Sequence, residues 1–288
     1  MAAGTIYSQG WTLDDIAWAR FDPSKVESHL LSAVKAAALV ELNAPDYVSY
    51  LKRVFRDGAP ETLRAIEQWG CEENQHGLAL GRWAEIADPS FKLNDAFARF
   101  RAGYRPAHFA AADENSVRGS KRGEMIARCV VESGTSSYYS AIRDAAEEPV
   151  LKEIAGRIAS DEYRHYRLFF DTLNAQSEPD LPFIRKLAVA VGRIDESDDD
   201  ELAYAYYCAN VPAEREAETP YERRSSAKAS YVATMSIYKP QHIKKLTQMV
   251  AKTVGAPARG RVIDLVSAFL WRVMRARAGL PLTLAGAG

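Results

Sequence analysis

Two short stretches constrain this chain more than anything else in it: Glu72-Glu73-Asn74-Gln75-His76 and Asp161-Glu162-Tyr163-Arg164-His165. Both read acid, Glu, two residues, His. In an α-helix, positions i and i+3 lie on nearly the same face one turn apart, so Glu73 with His76, and Glu162 with His165, each present a carboxylate and an imidazole to one point. That is a metal-ligand spacing. Of the five histidines, His29, His76, His108, His165 and His242, only His76 and His165 have Glu at i−3. The remainder of the chain reads as the scaffold that brings the two stretches together.

The scaffold is all-α by pattern. Apolar residues recurring at threes and fours predict helices over 24–42, 47–55, 61–87 and 91–101, then a connection over 102–116. Further helices are expected over 118–147, 149–175, 182–191, 200–210, 221–238, 240–254 and 262–277. Pro45 should break the first helix just after Glu41, and Pro60 and Pro149 suit first helical positions. Strand alternation and hairpin turns are absent. The acidic run 195–201 reads as a solvated loop and helix N-terminus.

With 47% apolar and 26% charged residues over 288 positions, the chain can bury a substantial core. No Pro/Gly/Ser-rich linker divides it, so one domain over 1–288 is expected. Lys plus Arg (37) nearly balances Asp plus Glu (38), for a net charge of −1, which leaves no global basic field for nucleic acid. Residues 1–10 lack a signal-peptide pattern and no apolar run reaches the roughly 18 to 20 residues that span a bilayer, so a cytoplasmic location is expected. Cys71, Cys129 and Cys208 are too few and too scattered for a disulfide framework and read as small buried side chains.

Two long helices carrying Glu-x-x-His need two more carboxylates to complete a dinuclear carboxylate site in a helix bundle. Glu41 and Glu132 fit, each following an apolar stretch, 37–40 and 126–131. The expected ligands are therefore Glu41, Glu73, His76, Glu132, Glu162 and His165. Four buried carboxylates would repel one another strongly, and two divalent cations would neutralise them. An oxygen-rich set with two imidazoles and no thiolate suits two Fe ions, with Mn as the alternative. The acids at i−4 are expected to orient the imidazoles, Asp161 reaching His76 and Glu72 reaching His165. Gly134 is expected to permit close approach of a substrate, oxygen or a neighbouring helix. Thr135, one turn from Glu132, either points its hydroxyl into the site or bonds back to a carbonyl.

Trp69-Gly70-Cys71-Glu72-Glu73-Asn74-Gln75-His76-Gly77 resembles the Trp-x-x-Glu-Glu-Asn-Arg-His-Gly of the soluble acyl-carrier-protein desaturases, ferritin-like di-iron enzymes. Asp161-Glu162-Tyr163-Arg164-His165 is similar to their Asp-Glu-x-Arg-His, and Glu132-Ser133-Gly134-Thr135 to their Glu-Arg-Ala-Thr. Glu41, followed by Pro45 and Tyr47, resembles the first ligand in Glu-x-x-x-Pro-x-Tyr. The resemblance covers about Glu41–Leu173, with Gln75 and Ser133 standing where the family has Arg. It implies a ferritin-like four-helix bundle over about 24–175, enlarged by helices over about 180–279, usually as a homodimer. It also implies an O₂-dependent desaturase that takes electrons from a ferredoxin-type donor and acts on an acyl chain held by acyl carrier protein or another acyl thioester. Thr135 matches the family's pocket threonine and would be the catalytic side chain, with Trp69 and Arg164 joining Glu72 and Asp161 around the ligands.

An acidic carrier would need a local basic patch, for which Arg118, Lys121 and Arg122, with Arg101 and Arg105, are the densest candidates near the site. The same residues also read as a solvated helix end. Two other activities fit the ligand set: a di-iron oxygenase on another substrate, such as an amine N-oxygenase, and a ferritin-like ferroxidase. The helical extension beyond 175 favours an enzyme over storage.

Overall fold

Prolines mark several of the helix starts. In the computed structural model, which describes residues 10–104, 116–196 and 200–281, Pro60, Pro149 and Pro240 each open a helix, where the missing N–H is not needed and the fixed φ suits the helix. The elements in order are α1 (Ser28–Glu41), α2 (Ala44–Val54), α3 (Pro60–Ala87), α4 (Leu93–Gly103), α5 (Lys121–Ala145), α6 (Pro149–Ala175), α7 (Phe183–Glu196), α8 (Asp200–Asn210), α9 (Arg223–Ile237), α10 (Pro240–Val254) and α11 (Arg261–Arg277). No strand occurs among the described residues, in keeping with the all-α reading, and no described helix is long and apolar enough to cross a membrane.

Several boundaries differ from the pattern for local reasons. Pro23 starts only a 3-10 turn, Pro23–Lys25, capped by Asp22, which accepts from the Ser24 amide. Val26 and Glu27 are then extended, so α1 begins at Ser28 rather than 24. The break after Glu41 falls at Leu42-Asn43, because Pro45 lies in the first turn of α2 and cannot continue α1. Ser120 caps α5 by accepting from the Gly123 amide, which trims the expected 118–147 to Lys121–Ala145. In the acidic run, residues 197–199 lie outside the described residues, but Glu201 is buried rather than solvated, and accepts from Asn43 Nδ2 (3.1 Å) and Tyr47 Oη (2.7 Å). Cys71 is exposed while Cys129 and Cys208 are buried.

Two apolar clusters make the core, and a polar layer separates them. Along α3, Ile66 and Trp69 belong to one cluster and Ala79, Leu80 and Trp83 to the other, with Glu72, Glu73 and His76 between. Along α5 the order is the same: Met125–Val130, then Glu132, then Tyr139–Ile142. Along α6 it is reversed, from Leu151–Ala159 through Asp161, Glu162 and His165 to Tyr166–Leu173. So α3 and α5 run in the same direction and α6 runs against both. On α1, Leu30–Leu39 pack in the cluster that Leu80 joins, and Glu41 ends the helix at the layer, so α1 runs with α6. The end of α3 and the start of α5 are therefore at opposite ends of this four-helix group. Outside the group, α8 packs on α1, and α10 packs on α5 and α11.

Glycine sets one close approach. A Cβ on Gly77 would lie 2.9 Å from the Leu42 amide nitrogen and 3.0 Å from the Ala38 carbonyl oxygen, so the last turn of α1 rests on α3 one turn beyond Glu73. Gly134, for which close approach was expected, has no atom within 4 Å of its Cβ position. Two residues turn it about 200° around the helix from Glu132, away from the layer and toward open space.

Two members of the candidate basic patch, Arg122 and Arg101, are engaged in intramolecular contacts. Arg122 donates from Nε to the Glu178 carbonyl (2.8 Å) and from its terminal nitrogens to the carbonyls of Gln176 (2.9 Å) and Leu173 (3.4 Å), clasping the end of α6 to the start of α5. Arg101 bonds to Asn43 and Asp46, and Arg105 lies outside the described residues. Charge-assisted bonds of this kind contribute about 1.5 to 3 kcal/mol. Arg122→Ala should therefore destabilise the fold by about 2 kcal/mol, read as a lowered midpoint in chemical denaturation with metal content unchanged.

Candidate metal centre

Each member of the four-helix group brings its carboxylate to the polar layer. α1 ends on Glu41, the middle of α3 carries Glu73 and His76, α5 carries Glu132, and α6 carries Glu162 and His165. All six side chains are buried, with His76 and Glu162 at 0% exposure. Their ligand atoms form two groups, Glu41 with Glu73, His76 and Glu162, and Glu73 with Glu132, Glu162 and His165. Within each group the atoms lie within 4.8 Å of one another. Glu73 and Glu162 belong to both.

Six of the converging nitrogen and oxygen atoms lack a hydrogen-bond partner. Glu73 Oε1, His76 Nδ1, Glu132 Oε1 and Oε2, Glu162 Oε1 and His165 Nδ1 are buried without a hydrogen bond. His76 Nδ1 lies 3.2 Å from Glu162 Oε1, and His165 Nδ1 lies 3.0 Å from Glu73 Oε1. Unmade hydrogen bonds in a dry interior cost about 1 to 3 kcal/mol each and more for charged groups, so so many converging orphans point to a shared positive partner. Buried Glu and His at these separations can hold metal.

The imidazoles are turned by acids on the opposite side. His76 Nε2 is 3.0 Å from Asp161 Oδ2, and His165 Nε2 is 2.8 Å from Glu72 Oε2. An Nε2–H donated to a carboxylate leaves Nδ1 as the free lone pair, which is the tautomer a metal requires. Asp161 also accepts from Trp11 Nε1 (2.8 Å) and from Arg164 (2.5 Å). Glu72 accepts from Gln68 Nε2 (2.9 Å), with Arg164 3.5 Å away. Trp69 makes no hydrogen bond through its ring nitrogen; it stands edge-on to Phe169 and helps line a surface cleft that reaches Glu72 and His165. Thr135 Oγ1 lies 3.3 Å from the carbonyls of Val131 and Glu132, and its short contact is to Glu162 Oε2 at 2.5 Å, so its hydroxyl donates to a carboxylate of the layer.

Three neighbours had no counterpart in the sequence reading. Tyr139 donates its hydroxyl to Glu41 Oε1, and its position seven residues after Glu132 puts it on the same helical face, a signal that was available. Trp11 stacks on His76 with ring centroids 6.0 Å apart, and its carbonyl accepts from Gln75 Nε2 (2.6 Å). Nothing local in the sequence marks Trp11. Gln68 reaches Glu72 from the preceding turn of α3. His29 and His242 stand away from the layer, beside Glu27 and Asp144, and His108 lies outside the described residues.

The electrostatics follow from packing acids without water. Burial, reinforced by the carboxylates of Glu73 and Glu162, raises Glu41 well above the ordinary carboxylate range. Burial and the charges of Glu162 and Glu73 do the same to Glu132. For Glu162, burial acts in the same sense but is outweighed by His165 and His76, which hold it well below that range. Burial opposes the positive charge of His76, yet Asp161 and Glu162 overcome it and push the imidazole up to about 9. His165 is likewise raised well above the ordinary imidazole value, against the opposition of burial, by Glu162, Glu72 and Glu73.

Compared with known proteins, the chain matches no family model and no curated protein.

Two outcomes test the geometry. Because Glu73 and Glu162 serve both groups, Glu73→Ala or Glu162→Ala should abolish metal binding altogether, whereas Glu41→Ala should spare the group around His165. Elemental analysis per chain distinguishes the two cases, and far-UV circular dichroism should show the helices retained, since removing an acid relieves repulsion. The second outcome concerns pH. Protons and cations compete for the same atoms, and the raised proton affinity of His76, up to about 9, makes protons the stronger competitor at neutral pH. Metal affinity should rise as pH increases toward 9 and fall on acidification, and loading in weak buffer should release protons, measured with a pH-stat.

Proposed function

We propose that the chain is an O₂-dependent di-iron oxidoreductase built on a ferritin-like four-helix bundle, acting as a desaturase on acyl chains carried by acyl carrier protein or a related thioester. The observation that carries the dinuclear reading is the sharing of Glu73 and Glu162 between two ligand groups: two carboxylates in common, with one further Glu and one His on each side. Four carboxylates and two imidazoles carry four negative charges when the imidazoles are neutral, which two divalent cations balance. Oxygen-rich donors with nitrogen from imidazole and no thiolate suit iron, with manganese second. The helix directions support the bundle: α1 and α6 run together, α3 and α5 run against them, and one long crossover joins α3 to α5.

The bound iron pair would supply the redox chemistry of O₂ reduction. The chain's residues do the rest. Asp161 and Glu72 fix the two imidazoles in the binding tautomer, and Tyr139 and Thr135 each donate a hydrogen bond to a ligand carboxylate, limiting how those carboxylates can turn. The desaturase reading rests on the four motifs from Glu41 to Thr135 and His165 taken together, and on helices α8 and α10, which cover α1 and α5 and exceed what iron storage requires. Reduction of O₂ to two waters takes four electrons, two from the acyl chain and two from an external donor of ferredoxin type.

The test is to load the full-length protein with Fe(II) without oxygen, then add O₂, a ferredoxin-type reductant and a saturated acyl-carrier-protein substrate. Mass spectrometry of the acyl group should show loss of two hydrogens. Gain of an oxygen atom instead would assign the chain to the oxygenases, and oxidation of iron with no change in any substrate would leave a ferroxidase.

A further inference from the structure

Helix α11 presents an apolar face to solvent while another of its faces holds it to the protein. Ile263 and Ser267 are buried, and Trp271 and Met274 pack against the core cluster that includes Trp83. Tyr231 Oη reaches the Met274 carbonyl (3.3 Å), and Lys244 pairs with Asp264 at 2.7 Å. At about 100° per residue, Val262, Leu265, Val266, Phe269 and Val273 then fall together on the outward side. Val262 is 76% exposed, Leu265 72% and Phe269 64%. The helix is about 25 Å long at 1.5 Å per residue, so this is a continuous apolar strip of a kind that single-chain soluble proteins seldom leave bare.

Charge at the strip's edges selects the occupant. Arg261 and Arg272 lie along one edge, and Arg277, its guanidinium over the Tyr231 ring, lies along the other. Asp264 is the only acid in α11; it is half exposed, lies off the strip and pairs with Lys244. In a two-fold pairing of this face with a second copy, parallel or antiparallel, no carboxylate of α11 would stand opposite these arginines. A surface that is apolar within and negative at its boundary satisfies both features. An apolar strip edged by arginines is the pattern of helices that lie in the plane of an anionic bilayer, their apolar side chains among the acyl chains and their arginines at the headgroup phosphates.

We propose that α11 docks this protein on anionic membrane surfaces, lying in the interface without crossing the bilayer. The inference does not use the metal reading, and metal content serves as its control. Full-length protein should co-sediment with phosphatidylglycerol vesicles, less well as salt is raised, and poorly with vesicles of phosphatidylcholine alone. Leu265→Glu with Phe269→Glu should weaken that binding by about tenfold or more, since it replaces inserted apolar area with charge that the lipid repels. Arg261→Gln with Arg272→Gln keeps the apolar strip, and should weaken binding and flatten its salt dependence. All variants should retain wild-type metal content and helicity. Absence of vesicle binding by the wild type, or undiminished binding in both variants, overturns the proposal. A dimer in sedimentation equilibrium that the Leu265/Phe269 variant converts to monomer, with no vesicle binding, overturns it in favour of a second copy.

Discussion

Repulsion among buried carboxylates is the constraint on which the rest of this structure depends. Glu41, Glu73, Glu132 and Glu162 converge in a layer closed above and below by apolar clusters, where water cannot screen them. A fully buried aliphatic or aromatic side chain contributes about 1.5 to 3 kcal/mol, while an uncompensated buried charge costs several. The layer is therefore a local liability carried by the slabs around it. Protons on the imidazoles and on Glu41 and Glu132 reduce that liability in part, and cations in their place would convert it into net attraction.

The helices answer this constraint by being long. α3, α5 and α6 each pass from one apolar cluster through the layer into the other, so every Glu and His of the layer on them is held by packing on both sides. α1 is the exception: it stops at Glu41, and the chain turns at Leu42-Asn43 into α2, which joins the other cluster. Glu41 is thus anchored from one side of the layer, by its helix and by the hydroxyl of Tyr139, whose ring belongs to the same cluster. Around the imidazoles a second set of acids, Asp161 and Glu72, lies below the ordinary carboxylate range: burial opposes this, but the hydrogen bonds to His76 and His165, with help from Arg164 and Gln68, outweigh it.

Much of this was legible because helical periodicity is local information. The i, i+3 spacing of Glu73 with His76 and of Glu162 with His165, and the placement of Glu41 and Glu132 beside apolar runs, suffice to predict that these side chains share a site. Helix existence was readable for the same reason, and Pro60, Pro149 and Pro240 mark starts that the structure keeps. What was not legible depends on partners distant in sequence. Trp11 reaches Asp161 from 150 positions away, and Glu201 is buried only because Asn43 and Tyr47 meet it. Arg122 looked like docking charge because the carbonyls it clasps at the end of α6 carry no side-chain signature. At Gly134 no neighbouring helix makes the close approach that the sequence allowed, since its angle around α5 aims it away from the layer.

Gly77 has a wider consequence. Its bare Cα lets the final turn of α1 settle onto α3, and that contact fixes how far Glu41 stands from Glu73 and His76. The spacing of the donors is therefore inherited from backbone contact between two helices, set before any ligand side chain chooses a rotamer. Residues that never touch the donors, Ala38 and Leu42 among them, act as its shims. Chemistry at such a centre can drift over evolutionary time while all six donors stay in place, through changes of one methyl group at the seam between two helices.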